Sequence, residues 1–117
     1  MSSNYSAYIK ERENKDIIED CRGFATYFSI DNGKGIQVED VFVREEFRKK
    51  GVAKEYFDVI ECIAKDLKCE YMITSVDMKT KNWEVSINGL VSNKYDFIGE
   101  DPLDSNFLYF LKRIIYG

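Results

Sequence analysis

Histidine is absent from all 117 residues. Without an imidazole there is no histidine general base, no Ser–His or Cys–His pair and no histidine metal ligand. The three cysteines, Cys21, Cys62 and Cys69, form no Cys-x-x-Cys spacing and no even-numbered framework. They read as reduced thiols in a cytoplasmic setting, and their spacing excludes a zinc site; no metal is expected. Apolar runs stop well short of the roughly 20 residues that a membrane span needs, and no secretory leader is visible. One proline and seven glycines leave little room for long flexible linkers. Positive charge is also scarce. The 17 Lys and Arg are outnumbered by 21 Asp and Glu, for a net charge of −4. A general nucleic-acid binder needs a basic footprint to displace counterions, so that class is excluded.

What is present is enough for a folded core. Hydrophobic residues make up 44% of the chain and aromatics 15%. A single domain over residues 1–117 is expected, and a domain of this size buries about two-thirds of its unfolded surface. Residues 5–12 alternate loosely and predict a strand, while 13–20 are charged and read as a turn or a short helix. Gly23–Ile30 and residues 36–43 are rich in aromatic and β-branched side chains. The Asp31-Asn32-Gly33-Lys34-Gly35 stretch between them supplies the positive-φ residues of a tight hairpin turn. In the second strand Ile36, Val38 and Asp40 share one face and Glu39, Val41 and Val43 the other, unless a bulge intervenes.

Residues 51–68 carry the strongest helix pattern. Val52, Ala53, Tyr56, Phe57, Ile60, Ile63, Ala64 and Leu67 recur at three- and four-residue steps, with charges on the opposite face. Residues 70–76 follow as a near-continuous apolar run, a strand buried on both faces. Asn82 is placed to cap a second helix over 83–93, which Gly89 weakens by about 1 kcal/mol relative to Ala. Residues 95–98 and 107–115 predict two last strands, joined by a long loop over 99–106. The fold class is therefore α/β (α+β), a mixed, mostly antiparallel twisted sheet with two main helices packed on it.

Chemistry concentrates where the strand ending at Val43 enters the helix starting near Gly51. Arg48, Gly51 and Ala53 fit Arg/Gln-x-x-Gly-x-Gly/Ala. A loop entering a helix aims several unpaired N–H groups at one spot, and the helix dipole adds positive potential there. Small residues let a pyrophosphate approach the backbone. Three consecutive cations, Arg48, Lys49 and Lys50, at the positive end of a dipole are unfavourable on their own. An anionic ligand would explain them.

The stretch from Val38 through Val43 to Ala53 resembles the central motif of the GNAT acyltransferase superfamily, and the likeness extends over roughly residues 22–97. It implies an N-acyltransferase that moves an acyl group, usually acetyl, from coenzyme A to an amine. By that resemblance, backbone groups of Val41, Phe42 and Val43 pair with the pantetheine arm, and an amide near Val41 receives the oxyanion. The N–H groups from Arg48 through Lys49, Lys50, Gly51 and Val52 to Ala53 hold the pyrophosphate. Glu39 sits where many relatives keep a general base, which an amine of pKa about 10.4 requires at neutral pH. Asn82 matches a helix-start Asn of the family, though three residues farther from the following Phe than usual.

The sequence departs from the family pattern in two places. Aligning Asp96-Phe97 with the usual Gly-Phe pair puts Ser92 where a thiolate-protonating Tyr is expected, and Tyr95 is the candidate acid if the helix ends differently. The segment ahead of the hairpin is too short for the usual strand and two helices. The acceptor site is then open, supplied by another chain, or built by the long carboxy-terminal loop. An open groove suits a macromolecular amine such as a protein Lys or amino terminus, and compact members of this kind occur among phage-encoded proteins. A monomer or homodimer is expected. The alternative is a GNAT-fold module that binds acyl-CoA or a partner without catalysis.

Overall fold

A computed structural model describes residues 4–116. Its elements run α1 (Asn4–Arg12), β1 (Asp16–Asp20), β2 (Gly23–Ile30), β3 (Gly35–Val43), α2 (Val52–Asp66), β4 (Tyr71–Asp77), α3 (Trp83–Ser92), β5 (Asp96–Asp101) and β6 (Asp104–Arg113). The six strands form one sheet in the order β1-β2-β3-β4-β6-β5. All neighbours are antiparallel except β3 and β4, whose connection passes through α2.

Helix α2 forms as its periodicity demands. It buries Val52, Tyr56, Ile60 and Ala64 at four-residue steps. These side chains meet Ala25, Ile36, Val38, Met72, Val76 and Phe110 from the sheet in one core, which Leu90 of α3 and Tyr95 complete. Each large apolar side chain taken fully out of water there contributes about 1.5–3 kcal/mol. Helix α1 lies on the other face, where Tyr5 packs on Phe24 with ring centroids 5.1 Å apart.

Four expectations are corrected. Residues 5–12 are a helix, not a strand, because Ser6 and Ile9, three apart, are the buried pair. The segment after it turns at Asn14, whose φ is 55°, and becomes edge strand β1 instead of a turn or short helix. β1 has little apolar pattern of its own, and its backbone pairing with β2 decides its state. Strand β4 is buried on one face only; Met72, Thr74 and Val76 are covered while Tyr71, Ile73, Ser75 and Asp77 are half-buried. Finally, 99–106 is no long loop. β5 and β6 close into a hairpin in which the Asp101 and Asp104 carboxylates accept from the Leu103 and Asn106 N–H groups at 2.8 and 3.0 Å. Ile98 to Pro102 of this hairpin line an open cleft with Ile73 and Tyr109.

Candidate functional site

The parallel pairing of β3 with β4 covers four residues, Gly35 to Val38 against Tyr71 to Thr74, and then stops. On its other edge β3 stays paired with β2 as far as Val43, through a bulge: Tyr27 faces Val38, but Ala25 faces Val41. Glu39 and Asp40 therefore fill the space of one residue, β3 bends away from β4, and the sheet opens into a wedge. The bulge condition set by the sequence is met, so Val41 and Val43 keep the face of Val38, and Asp40 does not.

Two fully enclosed threonines pin the opening. Thr26 Oγ1 accepts from the Asp40 N–H at 3.0 Å, satisfying a donor that the bulge displaces from the ladder. Thr74 Oγ1 donates to the Val38 carbonyl at 3.1 Å, at the last paired position. Among the described residues no buried side-chain N or O atom lacks a partner. Sequence reasoning missed both threonines; the available signal was a hydroxyl inside an otherwise apolar strand.

Beyond the bulge Val41 and Phe42 are exposed, and their β4-side backbone edge has no strand partner among the described residues. A 3₁₀ turn at Glu45–Phe47 carries the chain from β3 toward α2. Lys49 has φ 63° and Gly51 φ 78°, both left-handed. The Gly51 carbonyl accepts the first helical bond, from the Glu55 N–H at 3.1 Å. The N–H groups from Lys49 to Lys54 find no acceptor among the described residues. They point where the helix dipole places about half a positive charge. Arg48 turns back, its Nε donating to the Val43 carbonyl at 2.8 Å, and ties the loop to the strand end. The wedge edge and this run of donors are consecutive in the chain and make one continuous polar track.

The predicted catalytic side chains are not brought together equally. Glu39 stands at the split, on the α1 face, with its Oε2 2.8 Å from Lys15 Nζ. Ser92 is exposed and donates to the Gly89 carbonyl at 3.0 Å, so its proton is committed to its own helix. Tyr95 is buried, with its hydroxyl against Met72 Sδ at 3.8 Å. Burial, with Glu61 and Asp58 nearby, pushes its pKa far up. Asn82 adopts φ 67° and makes no side-chain cap; its carbonyl takes the Val85 N–H at 3.1 Å. On the α1 face an open cleft of about 570 Å³, lined by Tyr5, Phe24 and Phe42, adjoins the β3 wall. No described helix is long and apolar enough to cross a membrane.

Solved structures share this architecture. The PaiA N-acetyltransferase from Thermoplasma acidophilum, in complex with coenzyme A, is 17% identical, with a TM-score of 0.69 over 90% of this chain and 65% of that one. Ard1 from Thermoplasma volcanium is 13% identical, with a TM-score of 0.67 over 81% and 64%. An aminoglycoside 6'-N-acetyltransferase complexed with coenzyme A is 12% identical, with a TM-score of 0.66 over 97% and 80%. The chain spans 58–64% of the length of several such structures. No curated protein sequence matches it significantly. Residues 2–83, which include the wedge, the loop and α2, match the Acetyltransferase (GNAT) family. A split parallel pair feeding a helix whose first N–H groups are free, within a chain matched over most of its length, identifies this protein as a member of the GNAT acetyltransferase family.

Proposed function

We propose that this protein transfers an acyl group, acetyl in the first instance, from an acyl-CoA to an amine by direct attack on the thioester. The observation that carries the reading is the continuity of the wedge with the α2 entrance. The β3 edge from Val41 through Phe42 to Val43 offers peptide groups to an amide-containing arm, as an added strand would be paired. The N–H groups from Lys49 to Ala53, flanked by the Arg48, Lys49 and Lys50 cations, suit a pyrophosphate. The space around Gly51 is open: apart from its chain neighbours, no described residue comes within 4 Å of where a Cβ would stand. A CoA ester laid along this track has its thioester near the bulge, beside Glu39.

In this reading Glu39 takes the proton from the attacking amine, directly or through water. The leaving thiolate needs no strong acid, since a thiol pKa of about 8.5 makes it a fair leaving group. The acceptor reaches the split from the α1 face, where the aromatic cleft lies, and an acceptor amine carried by a protein fits that openness. A second reading, acyl-CoA binding without transfer, draws on the commitment of both candidate acids, Ser92 to Gly89 and Tyr95 to Met72.

Titration with acetyl-CoA by calorimetry, followed by thiol release over a panel of amines and peptides, tests both readings. Micromolar binding with release supports transfer. Binding without release on a broad panel supports the second reading, and no binding removes both. Glu39→Gln is expected to lower kcat about a hundredfold, with the KM for acetyl-CoA unchanged. The loss is largest at low pH, where the amine most needs a base; an unaltered pH–rate profile would remove Glu39 from this role.

A further inference from the structure

Among the described residues, Lys15 is the one amine that this chain itself brings to Glu39. It follows α1, and its loop is fastened by the Lys15 and Glu13 N–H groups, which donate to the Ile9 carbonyl at 3.3 and 3.2 Å. Asn14, just before it, is left-handed, with φ 55°. The Lys15 Nζ lies 2.8 Å from Glu39 Oε2, and the side chain is 20% exposed, covered but reachable. Glu39 is the first residue after the last pair that β3 makes with β4, so its carboxylate is within one side chain's length of the wedge apex. The entrance of α2 and the α1 face lie on opposite sides of the sheet. In the acyl-transfer reading, a thioester entering from the α2 side would face Lys15 across the split.

We propose that Lys15 is a self-acylation site, the acceptor that the protein modifies when no external amine fills the cleft. This rests on the acyl-transfer reading above. The Lys15 Nζ lone pair bonds to the thioester carbonyl carbon, the C–S bond breaks and CoA leaves as thiolate. Of the two protons that the Lys15 ammonium must lose, one goes to solvent before attack and the Glu39 carboxylate accepts the other from the tetrahedral adduct; a solvent proton completes the CoA thiol. The product is a neutral amide that no longer pairs with Glu39.

The charged and titratable groups around Lys15 are Glu39 and Asp40 from β3, Glu13 from its own loop and Tyr5 from α1. The hydrogen bond to Glu39 is the largest influence, and the Lys15 pKa is raised. The free-amine fraction therefore grows about tenfold per pH unit from pH 7 to 9, and the self-acylation rate should follow.

The test is incubation of the full chain with acetyl-CoA and no acceptor, read by intact mass and peptide mapping at pH 7, 8 and 9. Expected is one acetyl group, on Lys15, added at a rate independent of protein concentration. Lys15→Arg should remove it while keeping the ion pair with Glu39, and Glu39→Gln should slow it at least tenfold. Equal labelling of exposed lysines such as Lys34, Lys54 and Lys79, or equal labelling of heat-unfolded protein, would mark simple chemical acetylation and overturn the proposal. Acetyl-CoA binding by calorimetry without a Lys15 label overturns the self-acylation alone. Absence of binding overturns the transfer reading with it.

Discussion

Two clusters of cations flank the end of β3, and they are wired differently. In the β1–β2 turn Arg22 donates to Asp20 at 2.8 Å and to Glu55 of α2 at 2.6 Å. Arg44, just past β3, pairs with Glu46 at 3.2 Å and also donates to the Cys21 carbonyl at 3.4 Å. In the loop before α2, Lys49 and Lys50 have no acidic partner among the described residues, and Arg48 spends one N–H on a carbonyl. The first cluster closes its own charge account and holds elements together. The second leaves its charge open beside six backbone donors that are also open. Residue type does not separate the paired cations from the unpaired ones here; the presence of an acidic partner among the described residues does.

The sharpest way to break this comparison is Gly51→Val. A β-branched residue at φ 78° costs roughly 1–2 kcal/mol of backbone strain and pulls the N–H run out of line. Acetyl-CoA binding should fall below calorimetric detection while the circular dichroism spectrum stays that of the native fold. Unchanged affinity would separate the loop from the pyrophosphate.

Next in size is Lys49→Ala combined with Lys50→Ala. Affinity should drop about tenfold at low ionic strength, and the difference from wild type should shrink as salt is raised. Stability should rise slightly, since both cations stand at the positive end of the α2 dipole and neither has an acidic partner among the described residues.

Arg22→Gln is the reciprocal case. It should leave acetyl-CoA affinity unchanged and lower the thermal midpoint slightly, as for an exposed pair. Its signature lies in acid. The Arg22 side chain, helped by its backbone N–H and by the Tyr56 hydroxyl, holds the Asp20 carboxyl at about 2 against an ordinary 3.8. A depressed folded-state pKa stabilises above pH 3.8, and the contribution is lost as pH falls through 3.8 toward 2. Thermal melts of wild type should therefore weaken across that window, and Arg22→Gln should flatten the trend. A change in affinity would show that the first cluster also serves the ligand.

How much of this was legible beforehand depends on where the deciding contact lies. Strands β2 and β3, the turn between them and helix α2 could be read because their periodicities are local and strong. The Arg48-to-Ala53 motif was visible for the same reason, as the role proposed for it lies in the backbone of one short segment. α1 and β1 were misread because neither carries a clean pattern. Ile9 is buried by a sheet formed later in the chain, and Ile17 and Ile18 are the only large apolar residues of β1. Tyr95 and Ser92 could be aligned to a pattern, but the sequence could not show that one is buried on Met72 and the other tied to Gly89. The bulge was foreseen as a condition. Its anchor, the Thr26 hydroxyl on Asp40, joins residues of two strands and has no mark in either.

The placement of β6 between β4 and β5 also predicts an order of assembly. As the polypeptide emerges from the ribosome, β1 to β3 can close at once as a local meander. β4 can find β3 as soon as α2 has formed, but the pairing spans only four residues and leaves its other edge bare. β5 has no neighbour at all until the last strand arrives to slot between them. The wall of the wedge opposite β3 should thus stay open to solvent until synthesis passes Arg113, so its closing is expected as a late event in the birth of the molecule.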